Sequence, residues 1–248
     1  MTTLEMMERT LRKMKTEHPF SRNELLMEMM KCGAIVSIAS LNAGIDKMLQ
    51  RGDIARVGRN AYYVPPHYMR RYEYDYSKQA RSVVQRIEER YPYLDFVVFE
   101  LIQLNEFVNH QLAHNTIFVY AEPFATEFVF DMLWDCYDGM VLLKPSRKEY
   151  DRYWDEDAVV VKKLVSEAPL ARRAKWKSRL EKILVDLFAD KLLRDLLSPA
   201  ELSRVYQDSF HKYIIDESSL FRYAKRRSKA KRIRRFIHEE TDIVLRGQ

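Results

Sequence analysis

An α+β chain of two unlike lobes is predicted: an N-terminal winged helix-turn-helix, then an α/β domain of about four strands in a mixed sheet that ends in a helical part. Three observations predict it. Apolar residues recur at helical spacing in three successive stretches before Gly52. Two short strand-forming runs, parted by Gly58-Arg59-Asn60, follow the third stretch. Beyond residue 92, β-branched runs alternate with helical patterns. The domains divide as 1–66 for the winged helix, 67–91 for a linker and connecting helix, and 92–248 for the second domain.

The first helix runs from Thr3 to about Lys15, with Leu4, Met7, Leu11 and Met14 on one face. After the break at His18-Pro19, Ser21 caps a second helix carrying Leu25, Leu26, Met29 and Met30 and ending at Gly33. Ser37 caps the third, whose Ile38, Leu41, Ile45, Met48 and Leu49 gather on one face and which Gly52 stops. DIARV and AYYV then form a hairpin closed by Pro65-Pro66, since proline removes a backbone donor.

Charge is unevenly distributed. Net charge is +6, but cationic side chains outnumber anionic ones by 11 to 7 in residues 1–70 and by 10 to 3 in 222–248, while 71–221 holds 21 against 26. From Pro92 to Leu143 there is no Lys or Arg, so this segment repels a phosphate backbone. Cys32 and Cys136 fit no metal or disulfide spacing and are expected as free thiols in a reducing compartment. No apolar run reaches the length of a membrane span, and the N-terminus lacks a signal-peptide pattern, so the expected location is cytoplasmic.

In a winged helix the third helix enters the major groove and the hairpin reaches the neighbouring backbone. Opposite the apolar stripe lie Ser40, Ala43, Lys47 and Gln50, with Ser37 at the helix start. The small residues allow close approach, Lys47 suits phosphate or a guanine edge, and the Gln50 amide can pair with adenine. Arg51, Arg56, Arg59 and Asn60 put polar groups at the helix end and around the turn, where they position the protein on phosphates. The run Arg222–Phe236 offers a second phosphate-binding arm through Arg222, Lys225, Arg226, Arg227, Lys229, Lys231 and Arg232.

Tyr68, Tyr72, Tyr74 and Tyr76 read as a linker laying its rings on the two domains, and Ser77 caps a helix running to Arg90. Strands are predicted at Asp95–Phe99, Thr116–Ala121, Met140–Leu143 and Ala158–Val165. Helices are predicted at Leu101–Leu112, Phe124–Tyr137 and Ser146–Tyr153, over LEKILVDLFADKLL, from Pro199, from Tyr213 to Arg227, and from Lys229 to Ile237.

Two enzyme readings compete with a binding protein. HQLAH at His110–His114 has the histidine spacing of a zinc protease, with Gln111 where the general base must stand. Asp95, Glu106 and Glu122, with Lys162, could serve a metal-dependent nuclease, the alternative to a regulator. The acidic-x-lysine pair on one strand is absent, and no glycine-rich phosphate loop occurs. No catalytic residue, metal or cofactor is expected.

LNEFVNHQ at Leu104–Gln111, TIFVYAE, VVVKKLVSEAPL at Val159–Leu170, LEKILVDLFADK at Leu180–Lys191 and RYAKRR at Arg222–Arg227, together with the winged helix, resemble the AbiE-type antitoxins. The resemblance implies an autorepressor whose N-terminal domain binds operator DNA in its own promoter. It also implies that the second domain counteracts a nucleotidyltransferase-like toxin without a stable complex. The expected partners are double-stranded DNA and such a toxin, with no membrane, and the protein is expected as a monomer or weak dimer.

Overall fold

The computed structural model describes all residues except 1, 15–17, 110, 138, 154–157, 172–173, 195 and 248. It is a mixed α+β fold that divides into two compact units: 1–72 with 210–219 and 243–248, and 73–209 with 220–242. Sequence reading ran the second domain unbroken to 248, whereas the chain returns twice to the first unit.

The first unit opens with α1 (Thr3–Lys13), α2 (Arg22–Lys31) and α3 (Ile38–Arg51), followed by the antiparallel hairpin β1 (Ala55–Gly58) and β2 (Ala61–Tyr63). Thr2 and Ser21 each form a capping box with the glutamate three residues on, Glu5 and Glu24, satisfying amides that a helix start leaves unpaired. Ser37 caps α3 through the Ser40 amide, and Gly52 ends it in the left-handed region at φ 84°.

Met7, Leu11, Leu25, Met29, Leu41, Ile45 and Met48 form the core with Phe20, Ile54 and Tyr62. A Cβ at Gly44 would meet the end of the Met7 side chain, which would have to shift within the core. Phe20 exchanges two backbone hydrogen bonds with Tyr62, at 2.7 and 2.9 Å, so the segment between α1 and α2 adds a short third strand to the hairpin.

The second unit holds α4 (Lys78–Arg90), β3 (Phe96–Glu100), β4 (Thr116–Ala121), α5 (Thr126–Cys136), β5 (Val141–Leu143), α6 (Arg147–Tyr153), β6 (Ala158–Lys163) and α7 (Leu180–Ala189). Most of α8 (Pro199–Lys212) and α9 (Glu217–Arg226) also belong to it, as does α10 (Ala230–Glu240). The sheet order is β3-β4-β6-β5, with β3 antiparallel to β4 and the other neighbours parallel.

Alternation along β4 sends Ile117, Val119 and Ala121 into a core with Val83, Val84 and Ile87 of α4 and Val129 and Leu133 of α5. Phe118 and Tyr120 take the opposite face. There Lys182 of α7 sits 3.3 Å from the Tyr120 ring centroid, and Tyr206 of α8 donates to the Leu184 carbonyl at 2.8 Å.

Two predicted helices are shorter than expected. Leu101–Leu112 gives only a 3-10 turn, Leu101–Glu106. The Asn105 side chain then bonds the amide of Leu112 at 2.7 Å and its carbonyl at 3.1 Å, taking over groups a helix needs. The helix expected from Tyr213 begins at Glu217, because Ile214 pairs with Arg70 and the Asp216 carboxylate accepts from the Ser219 amide. Among the described residues, no helix is long and apolar enough to cross a membrane.

Candidate nucleic-acid interface

Burial on α3 begins at Leu41 and continues through Gly44, Ile45 and Met48, which fixes the helix and turns its other side outward. Ser40, Ala43, Lys47 and Gln50 are all exposed on that outer side. Asp46 is exposed among them, an acidic residue beside Lys47. Ile38 was expected on the core stripe but is 67% exposed, because it lies in the first turn, ahead of the core.

Ser37 is committed to the helix cap, its hydroxyl accepting from the Ser40 amide at 3.1 Å and donating to the Ser40 hydroxyl at 2.9 Å. Arg51 is held by two carboxylates, Glu8 at 3.0 Å and Asp53 at 2.9 Å, so its charge is largely balanced within the unit. Arg56 lies 5.6 Å from the centroid of the Tyr62 ring, a stacked cation on the hairpin.

Arg59 is exposed at the hairpin turn. Asn60 beside it adopts φ 55°, which asparagine tolerates better than most residues, and its side-chain oxygen accepts from the Arg22 amide at 3.2 Å. That bond ties the hairpin turn to the start of α2. Of the residues predicted to meet DNA, Ser40, Ala43, Lys47, Gln50 and Arg59 are thus exposed, while Ser37, Arg51 and Asn60 have evident structural duties.

The C-terminal basic run separates in the same way. Lys225, Lys231 and Arg232 are exposed, and Lys229 is half-buried. Arg222 pairs with Glu167 at 2.9 Å, and Arg226 donates to the Ser166 hydroxyl at 2.6 Å. Arg227 turns inward and meets Asp186 at 2.7 Å.

Asp186 is the centre of a buried ionic cluster that sequence reading missed. Its Oδ2 accepts from Lys182 at 2.6 Å, and its Oδ1 accepts from Arg227 at 2.7 Å and from the Tyr223 hydroxyl at 2.9 Å. Lys162 pairs with Asp190 at the margin of the same cluster.

Lys182 is 1% exposed; burial pushes its ammonium pKa down, opposed by Asp186. Burial, reinforced by Asp190 and Asp186, pushes the Tyr120 phenol well up. The spacing Lys182, Asp186, Asp190, each four apart through α7 and its C-cap in a largely apolar stretch, was the available signal. Tyr120, Lys162, the α7 charges and Arg227 come from four separately read motifs that meet here.

The residues of the nuclease reading have other neighbours. Lys162 is engaged by Asp190, Asp95 pairs with Lys175 at 3.0 Å and donates its amide to the Glu122 carboxylate at 3.4 Å, and Glu106 is exposed. Among the described residues, no group of three or more His, Cys, Asp or Glu side chains is placed to hold a metal ion. Of HQLAH, His110 lies outside the described residues, and 111–114 are not helical, so the two-histidine helix face is not formed.

No curated protein matches this chain. Among solved structures, the Rv2827c protein from Mycobacterium tuberculosis aligns over 96% of this chain and 81% of its own, at 11% identity and a TM-score of 0.23. Residues 40–243, which include α3 from Ser40 onward, the hairpin and every member of the buried cluster, match a family of unknown function, DUF6577, and the chain belongs to that family.

Proposed function

We propose that the first unit is a winged helix-turn-helix that binds duplex DNA, and that the protein is an autorepressor of antitoxin type. The observation that carries the DNA reading is the outer face of α3. Ser40, Ala43, Lys47 and Gln50 stand exposed on a helix whose opposite face is anchored in a core. Side chains of this kind read base edges in the major groove: lysine a guanine, glutamine an adenine, and small residues the close approach.

Two features support the fold half of the proposal. The hairpin follows α3 directly, with exposed Arg59 at its turn, and the Phe20 segment pairs with β2 as the strand between the first two helices of a winged helix does. Arg56 and Arg59 would serve the phosphates, and exposed Lys225, Lys231 and Arg232 are the remaining members of a second arm. The antitoxin half, with a nucleotidyltransferase-like toxin as functional partner and a cytoplasmic location, rests on the resemblance of the motifs to AbiE-type antitoxins.

A mobility-shift titration on the promoter region upstream of the protein's own reading frame tests this. Lys47→Ala with Arg59→Ala is expected to weaken operator binding by about tenfold or more, about 1.4 kcal/mol, and to flatten the dependence of affinity on salt. Undiminished binding by the double variant would overturn the assignment of α3 and the hairpin.

A further inference from the structure

The start of α3 differs in chemistry from the outer face that carries Lys47 and Gln50. Ile38, Ala39 and Ser40 are all exposed, although successive positions of a helix point in directions about 100° apart. This end of α3 therefore projects past the core as a tip. Ile35, in the turn that leads to the Ser37 cap, is 100% exposed, and it joins Ile38 as a second large aliphatic side chain left in water.

The tip is uncharged. From Cys32 to Ile45 there is no charged side chain, in a chain of which 31% is charged. The charges that flank it in sequence come as opposite pairs: Lys31 with Glu28 at 2.6 Å before it, and Asp46 beside Lys47 after it. The Ser37 hydroxyl is used in the cap, and the Ser40 hydroxyl accepts from it. Beyond the remaining Ser40 proton, the tip offers alkyl surface. Met27 and Met30 are also exposed, but they share their side of α2 with exposed Glu24 and Lys31, charges that the α3 tip lacks.

An uncharged alkyl tip has nothing to hold a phosphate and cannot tell one hydrogen-bonding base edge from another. The feature of the major groove that it does select is the C5-methyl of thymine, which lies on the groove floor where the N-terminal residues of a recognition helix meet the bases. Contact there takes apolar surface out of water on both partners.

We infer that Ile35 and Ile38 are specificity-determining residues that contact thymine methyl groups, so the operator carries thymines where the start of α3 enters the groove. Lys47 and Gln50 then read hydrogen-bonding edges further along the same helix. The inference rests on the DNA reading of α3 and deepens it.

The test is a mobility-shift titration on two forms of the promoter fragment upstream of the protein's own reading frame. One contains thymidine; the other contains deoxyuridine throughout, which pairs with adenine in the same way but lacks the methyl. The wild-type chain is expected to bind the deoxyuridine fragment about tenfold more weakly, at about fourfold for each methyl buried. Ile35→Ala with Ile38→Ala should bind the thymidine fragment about tenfold more weakly than wild type and distinguish the two fragments by less than about twofold, since the groups that sense the methyl are gone. Both side chains are exposed, so the variant should keep the wild-type circular dichroism spectrum and sedimentation coefficient.

Equal binding of the two fragments by the wild-type chain, or a variant that still separates them tenfold, would overturn this inference and leave the DNA reading of α3 standing. A changed sedimentation coefficient in the variant would also overturn it, since the isoleucines would then belong to a contact between two copies. No binding of either fragment by the wild-type chain would overturn the inference and the DNA reading together.

Discussion

α3 and α7 treat polar side chains in opposite ways. On α3 the polar residues Ser40, Lys47 and Gln50 stay in water, and only one side of the helix is buried. On α7 every position from Leu180 to Phe188 is buried, and Glu181, Lys182 and Asp186 go in with the rest. A charge kept in water costs the fold little and remains available to a ligand. A charge taken inside must find its partner there, or several kcal/mol per ion are lost. The polar residues of α7 therefore hold the second unit together, and those of α3 are available for binding.

The largest test of that contrast is Asp186→Ala. It strips the acceptor shared by Lys182, Arg227 and Tyr223 and should cost about 3–5 kcal/mol in a urea titration of the second unit. A loss below about 1 kcal/mol would show that the cluster does not hold α7 in place.

Raised pH should act on the same region. Burial holds the phenols of Tyr120, Tyr206 and Tyr223 above their ordinary value, and that of Tyr76 is pushed up to about 12. A group whose folded pKa exceeds its unfolded one contributes its stability in full below the unfolded value, about 10 for tyrosine, and loses it as pH climbs through the folded value. The last part of the rise in tyrosinate absorbance should therefore coincide with the loss of circular dichroism, above about pH 10. Complete ionisation without unfolding would mean that these rings are not enclosed.

Smaller effects belong to the first unit. Glu217 accepts from the amides of Arg246 and Gly247 at 3.0–3.2 Å, so Glu217→Ala should cost about 1 kcal/mol by removing an acceptor that both share. Ser21→Ala removes the cap of α2 and should cost about 1 kcal/mol. At the bottom of the scale, Lys47→Ala should change stability by no more than about 0.5 kcal/mol while weakening DNA binding. A large stability loss there would place Lys47 with the α7 charges.

Local signals made much of the architecture legible. Ser21, Ser37, Ser77 and Gly52 act where the capping rules put them, and the strand at Thr116–Ala121 has the predicted bounds. What sequence could not supply was partnership at a distance. Asp53 is a local partner for Arg51, but no local signal points to its second partner, Glu8, 43 positions earlier, while Arg59 is exposed. Arg227 sits in a run that reads as a phosphate-binding arm, yet its partner lies 41 residues away on α7. Ile38 obeyed the helical period and still lay beyond the reach of the core. Periodicity assigns a side to each residue, but how far the core extends along a helix depends on its neighbours.

The first unit is assembled from three separate stretches, and its last contributor is the segment at 243–247. Gly247 passes so close to Val57 that a Cβ would stand 2.1 Å from its carbonyl oxygen, and the Arg246 guanidinium lies 4.3 Å from the Tyr63 ring centroid. The hairpin is therefore finished by residues the ribosome adds nearly two hundred positions later. A polypeptide released early would carry α1 to α3 without the piece that braces the strands beside them, so prematurely terminated products should have a hairpin that is less well held.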